Sequence, residues 1–298
     1  MRNLFVLLLL SFIYLGCKND TDVAQVDKKT FQQPSFEKSF TSDGKWQLDL
    51  IFEKPNFTSI GISRWKEYSI ISDSASDIIY TIDTRARTLF DSTLVESPVY
   101  INQTQNRCLI PSYNNDSIYI FRGRANNQLE VFEELDGPTA VFAFRIDHYA
   151  ILDQKNNRLL YKNGPTEKIV GSKGHGKGEL DMPTNFELVE GTKAYVLDAG
   201  NKRVQVFNLK TGEALFDFGQ EQNFQHISGI TSDVNRIFVS DAEKGVIYIY
   251  DKEGNYLDQI TELINNPSDI EMNAGYLYIA NQNGPEIIIL KEVIEAEN

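Results

Sequence analysis

One motif recurs six times along this chain, and the recurrence limits the fold more than any other feature. In residues 197–208, VLDAGNKRVQVF, a short apolar run meets a polar turn and then an alternating run. The same order returns at 68–83 (YSIISDSASDIIYTID), 107–121 (RCLIPSYNNDSIYIF), 149–162, 236–251 and 276–290. The turns begin at Asp73, Ser112, Asp153, Asp198, Asp241 and Asn281, at spacings of 39, 41, 45, 43 and 40 residues. Runs rich in β-branched and aromatic residues mark strands, and a short polar turn between two of them marks a hairpin. A steady period of this length means one supersecondary unit repeated.

Each unit also opens alike, with a proline or apolar residue three positions before an aliphatic or aromatic one. The pairs are Phe57/Ile60, Pro98/Ile101, Pro138/Val141, Pro183/Phe186, Ile227/Ile230 and Pro267/Ile270. Further short runs (RTLFDSTL, LEVFEEL, EKIVGSK, ALFDFGQ, YLDQITEL) follow the first five hairpins. Four strands every 40 to 45 residues make a propeller blade. After the sixth hairpin the chain nearly ends, and the missing strand is at the other end, in KWQLDLIFEK (45–54). An N-terminal strand completing the last blade closes the ring and removes a long unpaired edge. The expected fold is all-β: a six-bladed β-propeller over residues 41–292, with a polar tail at 293–298.

What precedes the repeats reads as an export segment. Arg2 is followed by a mostly apolar run over residues 4–16, shorter than the roughly 20 residues of a spanning helix. Residues 1–16 therefore read as a signal peptide. Residues 17–40, polar and without hydrophobic period through about Pro34, read as a flexible tether. Only two cysteines occur, Cys17 and Cys108, so no disulfide framework holds the fold. Cys108, in the apolar run RCLIPS, reads as a small buried hydrophobe. The net charge of −13 argues against a nucleic-acid partner, which calls for basic patches.

Two resemblances add to this. Tyr14-Leu15-Gly16-Cys17 resembles the lipobox of bacterial lipoproteins, and Lys18-Asn19-Asp20 is similar to the export signal of Bacteroidetes surface lipoproteins. That likeness implies cleavage before Cys17, lipid on its sulfur, and an outer-membrane anchor facing the periplasm or the surface. The other reading is an ordinary cleaved secretory peptide. Residues 174–207, with spaced glycines, Met182-Pro183 and the Asp198…Asn201…Arg203-Val204-Gln205-Val206-Phe207 ending, resemble the NHL repeat. This resemblance implies a six-bladed propeller and leaves activity open, since one fold hosts many functions.

The polar hexad 198–203 invites a binding reading, but the other five units reach the same point with different residues. It reads as a turn, with Arg203 pairing to a carboxylate or carbonyl across the blade. GSKGHGKG (171–178) satisfies part of a phosphate-loop pattern, but Gly178 replaces the magnesium-binding Ser or Thr and Pro183 breaks any following helix. The three histidines, His148, His175 and His226, fall at unrelated points of the repeat and do not predict a three-His metal site.

The remaining candidate is the face where each first strand begins. The positions two after the proline are Ser59, Tyr100, Ala140, Asn185, Gly229 and Asp269, with Phe57, His226 and Tyr113 beside them. They differ from blade to blade, mixing aromatics, amides and an acid, a combination suited to a sugar or peptide. The expected ligand site is Phe57, Ser59, Tyr100, Tyr113, Asn185, His226 and Asp269. The leading reading is a non-catalytic binding or scaffold module for a glycan, peptide or envelope protein, with no cofactor. The alternative is a calcium- or zinc-dependent lyase or hydrolase with its site in the channel.

Overall fold

A computed structural model describes residues 31–32, 46–52, 59–65, 68–83, 88–104, 107–121, 127–131, 134–145, 147–261, 264–282 and 287–292. The segment read as a signal peptide, Cys17, Phe57 and residues 293–298 lie outside the described residues. The fold is the expected six-bladed β-propeller. In blade four, Pro183–Val189, Lys193–Asp198, Arg203–Asn208 and Glu213–Phe218 follow one another as an antiparallel meander. Blades one, two, three and five repeat it, starting from Ser59–Trp65, Asn102–Thr104, Pro138–Arg145 and Ile227–Ser232.

Alternation along the strands explains why the blades stack. The second strand of each blade is buried almost throughout, and its two faces serve different neighbours. In blade four Leu197 packs with Ile230, Ile237 and Val239 of blade five, while Val196 packs with Leu152 and Leu159 of blade three. Six such apolar clusters fill the six interfaces between blades. Each fully buried Ile or Leu contributes about 1.5–3 kcal/mol, so the ring is held by side chains between blades rather than by backbone pairing.

The last blade is closed by both chain ends. Trp46–Phe52 pairs antiparallel with Ile287–Glu292, from Trp46 opposite Glu292 to Phe52 opposite Ile287. Trp46 is buried edge-on to Phe238 of blade five at 5.8 Å. The Arg236 guanidinium covers that indole at 5.6 Å and bonds the Glu292 carboxylate at 2.9 Å. Two residues from the segment read as tether, Phe31–Gln32, add a short fifth strand by pairing with Phe52 and Ile51.

In blades three to six the acid or asparagine that opens the turn has a structural cause. Its side-chain oxygen accepts backbone N–H groups that the incoming loop would otherwise leave unpaired. Asp153 takes the N–H of Asp136, Asp198 that of Asp181, Asp241 those of Gln225 and His226, and the Asn281 amide oxygen that of Asn265. In blade four the device is complete. Asp198, fully buried, also accepts from Asn201 at 2.8 Å and Arg203 at 2.9 Å. Arg203 goes on to Asp217 and to the carbonyls of Gly176 and Glu179. The hexad is a turn whose polar groups are paired with one another.

Candidate channel site

The first strands of the blades line the central channel, and their register corrects one expected position. The residue opposite each turn acid or its equivalent is Pro98, Pro138, Pro183, Ile227 or Pro267 in blades two to six, and Ser59 in blade one. Ser59 therefore stands at the proline position, and Gly61 takes the place two residues on. Blade one has no proline, and Phe57 mimicked one two residues too early. The channel ring is Gly61, Tyr100, Ala140, Asn185, Gly229 and Asp269.

Two of these are glycines because the blades approach closely there. A Cβ on Gly229 would lie 2.8 Å from the Cα of Asp269, and one on Gly61 would lie 2.9 Å from the Cα of Tyr100. Serine hydroxyls bind both glycine amides, Ser240 to Gly229 and Ser72 to Gly61, each at 2.7 Å. The missing side chain at Gly229 lets groups from blades four and six meet across blade five. Asn185 Nδ2 donates to Asp269 Oδ1 at 3.3 Å, and the Ile62 N–H of blade one donates to Asp269 Oδ2 at 3.0 Å. Asp269 thus joins three blades inside the channel.

A small open pocket, with a cavity volume of about 30 Å³, lies against this ring, with Tyr100, Asn102, Asn185, Glu187, Asp269 and Glu271 as its polar wall. Glu187 and Glu271, a layer below Asn185 and Asp269, were not among the expected residues. Side chains two apart on a strand share a face, so the ring positions themselves implied them. Tyr113 and His226 lie elsewhere. Tyr113 sits in the turn beside Gly137, with the Lys155 ammonium 5.0 Å over its ring. His226 is exposed, held by its backbone to Asp241 and Ala242.

Electrostatics set this wall apart from the rest of the protein. Burial raises the Asp269 carboxyl well above the usual range; the Ile62 and Ile270 N–H groups counter it and the Glu187 charge adds to it. Glu271 is raised well above its ordinary value by burial first, then by the charges of Glu187 and Asp269. Burial pushes Glu187 up to about 7, although the Ser232 hydroxyl bonds it at 2.7 Å and the Lys252 charge pulls it down. The Tyr100 phenol is raised by burial and by Asp269. Three acids sharing one narrow space resist ionising together. Perturbed acids in a cleft are a common mark of a functional site. Among the described residues no group of three or more His, Cys, Asp or Glu is placed to hold a metal ion.

Comparisons with known proteins agree on the architecture. No protein-family model matches the chain. It is 28% identical over 151 residues to human NHL repeat-containing protein 3, a match covering 46% of this chain and 42% of that protein. The chain thus spans under half the length of that relative. Among solved structures it resembles a streptogramin B lyase, with a TM-score of 0.63 and 12% identity over 84% of this chain and 98% of that one. It also resembles the calcium-binding protein regucalcin of Agrobacterium tumefaciens, with a TM-score of 0.63 and 12% identity, covering 80% and 92%. At such identity these likenesses establish the fold alone. With the repeat pattern and the six-bladed fold, the match to the human protein fits an NHL-repeat propeller.

Proposed function

We propose that this protein is an envelope lipoprotein whose propeller binds a ligand at the channel, without catalysing its conversion. The observation that carries the reading is the polar channel wall. Tyr100, Asn102, Asn185, Glu187, Asp269 and Glu271 face one pocket, and no other blade repeats their pattern. A residue kept for folding recurs from blade to blade, as the turn acid does in four of the six, whereas a binding residue has no reason to. The ligand is a glycan fragment, a peptide or the surface of another envelope protein, and polysaccharide uptake is the process such a lipoprotein would serve. The acidic charge argues against nucleic acid.

Lipid on Cys17 is the anchor in this reading, supported by the residues before it. Labelling with an alkyne-bearing fatty acid in cells tests it: wild type incorporates the label at the outer membrane, and Cys17→Ser does not. A calcium- or zinc-dependent lyase or hydrolase would need several ligands converging on one point. Asn185 and Asp269 meet, but His226 is on the exposed rim, and among the described residues no three His, Cys, Asp or Glu side chains converge on one point. The donor set therefore favours binding. Glycan and peptide arrays probed with the full-length protein test the site. Hits that disappear with Tyr100→Ala and Asn185→Ala support it, and hits indifferent to both overturn it.

A further inference from the structure

We infer that the short strand Phe31–Gln32 is a strap that turns the N-terminal chain, so that it leaves the propeller on the face bearing the channel mouth and holds that face toward the membrane. This rests on Cys17 being the lipid anchor of the proposed function, and it adds the orientation in which the propeller is held.

Strand direction sets the two faces apart. In blade six the first strand starts at Pro267, on the mouth face, with Asp269 two residues further in. Pro267 lies opposite Asn281, Ala280 opposite Ile287, and Ile287 opposite Phe52. Phe52 is therefore at the mouth face. Trp46, at the other end of the same strand, lies opposite Glu292, beside the hairpin at Asn273 and Tyr276 on the far face. A chain that entered only at Trp46 would hang from that far face. Phe31–Gln32 changes the exit, because it pairs antiparallel with the closing strand, Phe31 with Phe52 and Gln32 with Ile51. The chain before Phe31 departs at the mouth end. At about 3.3 Å per residue, the exit moves by about 20 Å, from one face to the other.

Chain length makes the shift matter. Without the strap, 29 residues (17–45) separate the anchor from the propeller; with it, 14 residues (17–30) do. At about 3.5 Å per residue the greatest reach falls from about 100 Å to about 50 Å. To bring the far face against lipid, those residues must first run back the blade's height of about 20 Å, and the mouth face requires no such return. The strap also covers backbone groups on the edge of the closing strand. Among the described residues the other blades have four strands and no fifth, so the addition falls on the blade that both chain ends build. Pro34, two residues after Gln32, has no N–H to offer a longer ladder, so the sequence limits the strap to a short pairing.

Thiol crosslinking and lipid quenching on the full-length protein test the two halves separately. In a Cys17→Ser background, Gln32→Cys with Ile51→Cys places two thiols on facing residues, whose Cβ atoms stand about 5 Å apart. Dibromobimane should crosslink that pair and leave Gln32→Cys with Gln47→Cys unlinked. Circular dichroism checks folding, and Phe31→Cys with Phe52→Cys reads the same register should the first pair not fold. For the second half, the lipid-bearing protein in phosphatidylethanolamine vesicles carries a fluorophore on Ala75→Cys, in the mouth-face turn of blade one, or on Asn273→Cys, on the far face. A spin-labelled lipid should quench the Ala75→Cys probe more strongly, and Phe31→Pro with Gln32→Pro should abolish that difference by removing both N–H donors. The strap is overturned if neither facing pair crosslinks in folded protein, or if the Gln32→Cys and Gln47→Cys pair crosslinks as readily. The orientation is overturned if the Asn273→Cys probe is quenched as strongly as the other. A protein that takes up no fatty-acid label yet crosslinks at 32 and 51 would remove the anchor and leave the mouth-face exit standing.

Discussion

Blade four holds the two regions whose contrast explains this molecule. At the turn, Asp198, Asn201 and Arg203 are charged, polar and crowded, and they are bonded to one another or to backbone. In the channel, Asn185 and Glu187 belong to a wall where carboxyls outnumber cations and an amide oxygen goes unpaired. Both regions are polar and both look like sites in the sequence. The difference is satisfaction: a closed network stabilises a turn, whereas an open one leaves capacity for something that binds.

The largest effect expected from this contrast falls on the turn. Arg203→Ala removes the partner of a buried carboxylate and should cost about 3–5 kcal/mol of stability, measured by chemical denaturation. A loss under about 1 kcal/mol would place the turn among ordinary surface ion pairs and break the comparison. Next comes the packing beneath the channel. Gly229→Ala drives a methyl against the Asp269 and Ile270 backbone at 2.8 Å, so overpacking should cost about 1–3 kcal/mol. It should also disturb the bridge from Asn185 to Asp269, visible as weakened ligand binding together with the fall in melting temperature.

A smaller effect separates the regions by pH. The Glu187 pKa is raised from 4.5 to about 7 on folding, so its neutral form is favoured in the folded protein. The stability this contributes is full below pH 4.5 and is lost as pH rises through about 7. Glu187→Gln should therefore flatten the decline in stability across that window and leave the protein about 1 kcal/mol more stable above it, allowing for screening by channel water. An unchanged slope in pH-dependent melting would mean the carboxyl is not held in a raised state. Smallest of all, Lys177→Ser in the exposed glycine-rich loop should change stability by less than about 0.5 kcal/mol.

Most of the fold was legible because the period was. Turn acids at a steady spacing gave the blades, and the absence of a last strand pointed to residues 45–54 as its replacement. The fifth strand at Phe31–Gln32 was not legible, since two residues carry no alternation. In the site, Tyr100, Asn185 and Asp269 could be found by counting from proline. Ser59 was misplaced because blade one lacks that proline. Glu187 and Glu271 follow from the two-residue alternation but lie a layer deeper than the positions counted from the proline. The Asn185 to Asp269 bridge was beyond reach, because it spans 84 residues and depends on the bare backbone of Gly229 between them. Satisfaction itself, the property that separates the turn from the site, is set by such long-range partners.

Hydrogen–deuterium exchange of the full-length protein, with and without an array-identified ligand, tests the central claim most directly. The account predicts new protection in residues 98–104, 183–189 and 267–273, with the loop at 171–178 and the turn at 198–203 unchanged. Protection confined to 171–178 and 198–203 would contradict it and return the binding role to the hexad.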